Sequence, residues 1–517
     1  MISRIRLPLL NLGLASLTLL TAAFCTFPWC DELVLSDNPA RWAVAGAFDG
    51  RVWPNVYNLL HPLLLSIFFR LFGVSHTTCI ALSALAAFLT AGFCLRLAGR
   101  RRLFASDSAG AAFLLLFWGG WGLSWMVTDG RLDALTMLFT VLFADSLIPD
   151  AARTEDRRTL LQTGIAAAGL TLTSVYMLPV LFVLGVVLLV GAAQEDRRTL
   201  FRKGLVSAGA IILSYLAMLA WYVLLGEPVR FLGFYLYFNT LTGMKADPLP
   251  LRIFRGYLYN PEALVLALLT CVFVARDRHG ISRRNLGFLV FAFAIPLFMT
   301  LGGRYEHYYS WAFYLPLTLA AVAMASRWRQ GRRPVVLLAA GGAALLATNQ
   351  LRLWSDSGDA REGQAKAEDF VRACAKDFTD GVEVVVATDV TGDAALFYPL
   401  LRTGARPWFR GADTLRAPSD REKFAQGLSF IVKDEIRRKQ ILDRVLRHQR
   451  CMPTLPDSGY VIFTGEENRR EVGPLLRQLG LELREAFASG TFTVMKILSR
   501  SRPAESDEAE GRPQDVE

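Results

Sequence analysis

The chain has 517 residues, 53% of them apolar and 20% charged, with a mean hydropathy of +0.33. Soluble domains carry about 25% charged residues, so this composition excludes a disordered chain, a fibrous chain and an ordinary soluble enzyme. The net charge of +10 is unevenly placed. Residues 1–350 hold 30 Lys/Arg against 18 Asp/Glu, a net of +12, whereas residues 351–517 hold 26 against 28, a net of −2. The basic excess belongs to the apolar part, where cations gather in loops on the cytoplasmic side of a membrane. It requires no nucleic-acid partner.

In chain order, Arg4 and Arg6 precede an apolar run from Leu7 to Pro28. The run could be a cleaved signal peptide, but it lacks a clean small-x-small site before Asp31 and reads rather as a signal anchor that stays in place. Further spans read at 77–98, 109–126, 133–149, 160–175, 177–193, 204–225, 260–275, 286–301, 308–326 and 334–350. Each approaches the ~20 residues that cross a bilayer, and with the first they make about 11 spans. The pair at 160–193 also fits one helix broken at Pro179. Residues 59–72 are apolar but short, and read as a helix lying at the outer interface. Residues 1–350 are thus a polytopic α-helical membrane domain with a long first loop, 28–76.

With the N-terminus in the cytoplasm, the inner loops collect 21 of the 30 cations of residues 1–350, including Arg96, Arg100–Arg102, Arg153, Arg157, Arg158, Arg197, Arg198, Arg202 and Lys203. Such an alternation follows the positive-inside rule, and these arginines read as topology anchors. An odd number of spans places residues 351–517 outside. There, β-rich runs at 382–388, 459–464 and 491–497 alternate with helical patterns at 361–378, 392–402, 419–449 and 467–479. This is the pattern of a small α/β domain over 351–500, followed by a disordered acidic tail, 501–517. The seven cysteines lack metal-ligand spacing. Cys374 and Cys451 read either as a disulfide, if their domain is periplasmic, or as two buried thiols. No Walker motif is present, and no G-x-G-x-x-G opens a helix after a strand.

The outer loops carry the groups with chemistry. Asp31 and Glu32 follow the first span. Acids accumulate outside when cations are held inside, but a carboxylate desolvated at a membrane edge is also a better base. In 128–133 (TDGRLD), Asp129 and Asp133 are four apart, which predicts one helix face shared by both acids with Arg131 off it. The plainer role is helix capping by Asp129 and charge at the helix start. It accounts for one acid better than for two. Two cationic groups lie outside, where the rule disfavours them. One is Lys245, Arg252 and Arg255 after an aromatic stretch, and the other is Arg304 beside Tyr305, Glu306, His307 and Tyr308. Cations among interfacial aromatics suit an anionic lipid headgroup, and snorkelling explains the first group equally well. His61 and His307 could be metal ligands, but single histidines this far apart in sequence are more often interfacial hydrogen-bonders.

Acids and cations on the outer face of a many-span protein fit one reaction class. A hydroxyl attacks a sugar carried on a polyprenyl phosphate, a carboxylate takes the proton, and cations stabilise the departing phosphate. The chain resembles the GT-C glycosyltransferases that use such donors, closest to the aminoarabinose transferases, the protein O-mannosyltransferases and their RgtA/B/C/D-type relatives. Asp31-Glu32 after the first span, the glycine-containing loop AVAGAFDGRVWPN, His61-Pro62-Leu63, Leu71-Phe72-Gly73-Val74, Arg131-Leu132-Asp133-Ala134-Leu135, Arg304 with His307-Tyr308, and Tyr314-Leu315-Pro316 carry the resemblance. It implies inverting transfer on the periplasmic side of a bacterial inner membrane, with Asp31 as base and Glu32 and Asp133 in the catalytic set. It also implies Arg304, Lys245, Arg252 and Arg255 on the donor phosphate, with His61, Asp129, Arg131, Tyr305, His307 and Tyr308 contacting substrate. The chain departs from the family in having a single proline after His61, and Ser174-Val175-Tyr176 where relatives often carry a lysine.

The partners implied are a polyprenyl-phosphate sugar donor, the lipid bilayer and an envelope acceptor, whether lipopolysaccharide, another glycan, a lipid or a protein. Some family members use a divalent cation and others none, and no ligand cluster beyond the acids distinguishes these cases here. A transporter or lipid flippase with an accessory domain is the alternative, and a non-catalytic scaffold a third. Transporters place charges in mid-span on repeated, broken helices. Here the acids sit at outer span ends and no repeat is found.

Overall fold

The structure is a computed structural model. It describes residues 3–26, 39–44, 46, 59–100, 102–147, 157–173, 194–224, 249–276, 292–293, 295–297, 310–328, 332–355, 357–374, 376–379, 381–387, 394–410, 415, 429, 434–446 and 455–500. The helices of the apolar part are α1 (Ser3–Cys25), α2 (Leu60–Phe72), α3 (His76–Arg100), α4 (Asp107–Gly119), α5 (Trp121–Thr128), α6 (Asp133–Leu147), α7 (Arg157–Thr173), α8 (Gln194–Leu224), α9 (Leu249–Leu258), α10 (Pro261–Arg276), α11 (Ser310–Arg327) and α12 (Arg332–Ser355). Among the described residues four helices are long and apolar enough to cross a membrane, or five if the bent pair α4–α5 is one span. This is a multi-pass membrane protein. The expected span at 177–193 lies outside the described residues, and only 292–293 and 295–297 of the one at 286–301 are described. Helix α12 runs on past residue 350 to Ser355.

Within the bundle, small residues and a few polar staples replace the hydrophobic drive that lipid removes. Buried Asn11 of α1 donates to the Phe88 carbonyl at 3.0 Å and accepts from Trp118 Nε1 at 2.9 Å, tying α1 to α3 and α4. A Cβ on Gly119 would lie 2.6 Å from the Gly342 carbonyl oxygen, so α4 and α12 touch backbone to backbone. The arginines gather at one end of the bundle. There Arg327 donates to the Arg102 carbonyl at 2.6 Å, Arg276 lies 5.2 Å from the Trp328 ring, and Arg100 pairs with Asp145 at 2.7 Å.

The opposite end carries the α/β domain, made of α13 (Ser357–Ala373), β1 (Glu383–Ala387), α14 (Phe397–Arg402), β2 (Arg406–Phe409), α15 (Glu435–Leu446), β3 (Gly459–Thr464), α16 (Gly465–Gln478), β4 (Leu481–Ser489) and β5 (Phe492–Arg500). The sheet order is β2-β1-β3-β5-β4, with β1 parallel to both β2 and β3, and β5 antiparallel to β3 and β4. Because successive strand residues face opposite sides, the sheet feeds two cores. Val384, Val386 and Ile462 join Phe370, Phe378 and Leu400 on one side. Val385, Ala387, Val461 and Phe463 join Trp408, Val472 and Leu476 on the other. Strands β2 and β4 are additions to the three expected. The first is short and contains Pro407, and the second alternates weakly, with charges on its open side. Cys374 is a free thiol buried in the first core, where burial and nearby Asp377 push its pKa up to about 11. Cys451 and the tail lie outside the described residues.

The domain is docked on the membrane part. Phe397, Tyr398 and Leu401 of α14 pack with Leu65 and Phe69 of α2, Cys79 and Leu82 of α3, and Ala40. Arg41 is buried, donates to the Pro407 carbonyl of β2 at 2.7 Å, and sits 5.2 Å from the Trp408 ring. Arg361 of α13 donates to the Phe24 carbonyl near the end of α1 at 2.9 Å.

Candidate active site

At this domain-bearing end, the segment between α5 and α6 folds into a tight turn. Helix α5 stops at Thr128. The Asp129 N–H still bonds the Trp125 carbonyl, Gly130 takes φ +57°, and the Arg131 N–H turns back to the Met126 carbonyl at 3.2 Å. This is a glycine-terminated helix end, and space as well as φ requires the glycine. A Cβ at Gly130 would lie 2.5 Å from Cys79 Sγ. Ser83 of α3 holds the far side of the turn, donating to the Arg131 carbonyl at 3.0 Å.

The turn corrects the expectation drawn from spacing. Asp129 closes α5 and Asp133 opens α6, so the two acids share no helix face, and Asp129 caps no helix N-terminus. Arg131 is not turned away from them. It lies between them, with Nε 2.9 Å from Asp133 Oδ2 and Nη1 3.7 Å from Asp129 Oδ2. Gly130 interrupts the helix, and a guanidinium in an apolar bundle is held by carboxylates rather than by water. Asp129, Arg131 and Asp133 are 4%, 9% and 2% exposed.

His61 joins the triad from α2. It is fully buried, with its ring against the Gly130 backbone. Burial lowers its pKa to about 4, opposed by the Gly130 backbone, so the imidazole is neutral at neutral pH. His61 is thus a buried, uncharged ring against the turn that joins the two acids.

Of the other expected site residues, Asp31, Glu32, Lys245, Arg304, Tyr305, His307 and Tyr308 lie outside the described residues. Arg252 and Arg255 are on α9, and the Arg255 side chain is exposed. Sequence reasoning passed over the residues that frame these segments. His76 Nε2 is 2.8 Å from Thr26 Oγ1, which locks the end of α1 just before the Asp31-Glu32 segment. Ser310, which follows Tyr308 closely in sequence, packs on Gly122 of α5. A lone histidine opening an apolar run was the available signal for His76. Among the described residues no group of three His, Cys, Asp or Glu is placed to hold a metal ion.

The same fold also occurs in solved structures. ArnT from Cupriavidus metallidurans bound to undecaprenyl phosphate superposes with a TM-score of 0.63 at 13% identity, over 94% of this chain and 97% of that one. The fold is that of the GT-C membrane glycosyltransferases. The mycobacterial arabinofuranosyltransferase AftD matches with a TM-score of 0.50 at 14% identity, over 94% of this chain and 40% of its own. The oligosaccharyltransferase AglB from Archaeoglobus fulgidus, in complex with an inhibitory peptide and a dolichol-phosphate, gives 0.50 at 10% identity, over 93% and 74%. No family model and no curated protein matches the chain by sequence. The GT-C likeness spans both the bundle and the α/β domain, since 94% of the chain superposes on ArnT.

Proposed function

We propose that this protein is a glycosyltransferase that moves a sugar from a polyprenyl-phosphate donor to an envelope acceptor, on the periplasmic face of a bacterial inner membrane. The observation that carries the proposal is the buried Asp129–Arg131–Asp133 triad with neutral His61, at the end of a GT-C bundle roofed by the α/β domain. The undecaprenyl phosphate bound to ArnT and the dolichol-phosphate bound to AglB support the choice of donor class.

In the proposed reaction an acceptor hydroxyl oxygen attacks the anomeric carbon as the bond from that carbon to the phosphate oxygen breaks. The hydroxyl proton passes to the Asp31 carboxylate, seconded by Glu32, and polyprenyl phosphate leaves with the bonding electron pair. A single displacement inverts the anomeric centre. Arg304, Lys245, Arg252 and Arg255 receive the charge that develops on the phosphate, where preorganised cations act most strongly. The two carboxylates of the triad suit the positive character that grows on the sugar ring. Tyr305, His307 and Tyr308 flank Arg304 in sequence and complete the donor-facing set.

The test is mass spectrometry of envelope glycans and glycolipids from a deletion strain complemented with wild type or Asp31→Asn. One sugar mass lost in the deletion strain and restored by wild type alone supports the proposal and names the sugar. A profile unchanged by the deletion refutes it.

A further inference from the structure

The α4–α5 pair bends by 56° within the apolar bundle. A broken helix frees backbone groups that water cannot reach there, and three side chains from three other helices bond to the backbone around the break. Tyr314 Oη of α11 donates to the Leu116 carbonyl at 2.7 Å, and Asn349 Nδ2 of α12 donates to the Gly119 carbonyl at 2.6 Å. On the other side of the break, the Trp121 N–H donates to both carboxylate oxygens of Glu262, at 3.1 Å each. Glu262 belongs to the first turn of α10, so a carboxylate from a neighbouring helix caps the N-terminus of α5, the end where the helix dipole favours negative charge. The Trp121 ring is held as well, with the Arg352 guanidinium 4.2 Å from its centroid. Helix α5 has only 8 residues, and its other end is Asp129. Whatever fixes Trp121 therefore fixes the direction in which the short rod delivers the acid–guanidinium turn.

We propose that Glu262 is a positioning residue for this site. It anchors the start of α5 and through that helix holds Asp129, Arg131 and Asp133 in place, without touching substrate. The inference rests on the proposed glycosyl transfer for its activity readout, but its geometric half does not. Cys79 provides the second readout, because it is buried beneath the turn with Sγ 3.8 Å from the Gly130 carbonyl.

The experiment compares purified wild type, Glu262→Ala, Glu262→Gln and Glu262→Asp. Transfer kinetics are measured with the donor identified from the deletion strain, and alkylation of Cys79 by a maleimide is followed by peptide mass spectrometry. Glu262→Ala is expected to lower kcat at least about tenfold with the donor KM moved less than about twofold. It is also expected to speed Cys79 labelling at least about tenfold. Gln keeps one acceptor oxygen and should restore both readouts to within about threefold, whereas the shorter Asp should not. Wild-type kcat in Glu262→Ala, or a slow Glu262→Ala whose Cys79 stays as protected as in wild type, overturns the proposal. If wild type itself transfers no sugar, the functional reading falls, and Cys79 labelling alone decides whether Glu262 holds the turn.

Discussion

Arg131 Nε lies 2.9 Å from Asp133 Oδ2, and neither side chain is more than a tenth exposed. Removing the cation breaks a buried ion pair, which typically costs about 3–5 kcal/mol. Arg131→Ala is therefore expected to lower the unfolding midpoint sharply in detergent. Asp133→Asn, which keeps an acceptor for Nε, should lower it less. Equal midpoints for Arg131→Ala and wild type would show that the pair is not buried as described.

Asp31→Asn is close to isosteric and removes the proposed base. Transfer should fall to background, while the unfolding midpoint stays within about 1 °C of wild type, as expected for a change that alters protonation chemistry rather than packing. Full activity in this variant assigns the base elsewhere, with Asp133 the next residue to test.

His61 predicts a pH dependence of stability. Its folded pKa is about 4 against an ordinary 6.5, so between these values the unfolded chain binds more protons than the folded one. Stability is complete above pH 6.5 and is lost as the pH falls toward 4, by about 3 kcal/mol in all. His61→Gln does not titrate and should flatten that part of the profile. Thermal melts at half-unit pH steps check it, and parallel curves for the two proteins refute the assignment.

Arg304→Ala should raise the donor KM by about tenfold or more with a smaller change in kcat, as expected for loss of a charge-assisted contact worth roughly 1.5–3 kcal/mol. An unchanged KM removes Arg304 from the phosphate site and leaves the group around Lys245 and Arg255.

Arg41→Ala deletes both the bond to the Pro407 carbonyl and the contact with the Trp408 ring. The α/β domain should then be released faster by limited proteolysis, with the bundle fragment remaining intact. A digestion rate equal to wild type would assign the docking to the apolar contacts of α14 and to Arg361.

Long apolar runs and the distribution of arginines made the bundle legible, because span length and loop charge are properties of composition along the chain. Strands β1, β3 and β5 were legible because their buried residues are β-branched or aromatic. Strand β2 was not, since four residues including a proline carry too little pattern, and β4 was not, since its outer side is charged. The candidate site was legible as residue types but not as geometry. Asp129 and Asp133 are one turn apart only if the helix continues, and whether Gly130 ends it depends on Cys79 and Ser83, which come from another helix. Glu262 gave no signal at all. An acid at the start of a span reads as an ordinary first-turn carboxylate, and its partner Trp121 is distant in sequence.

Strand β2 is an edge of its sheet, and strand edges invite unrelated chains to pair with them. This one holds Pro407, which offers no N–H, and its carbonyl is already taken by Arg41. The opposite edge, β4, displays Glu482, Arg484 and Glu485 to solvent. Both rims of the sheet are thus closed to amyloid-like growth by different means, one by docking and the other by charge. Variants that undock the domain should be watched for aggregation as well as for lost activity.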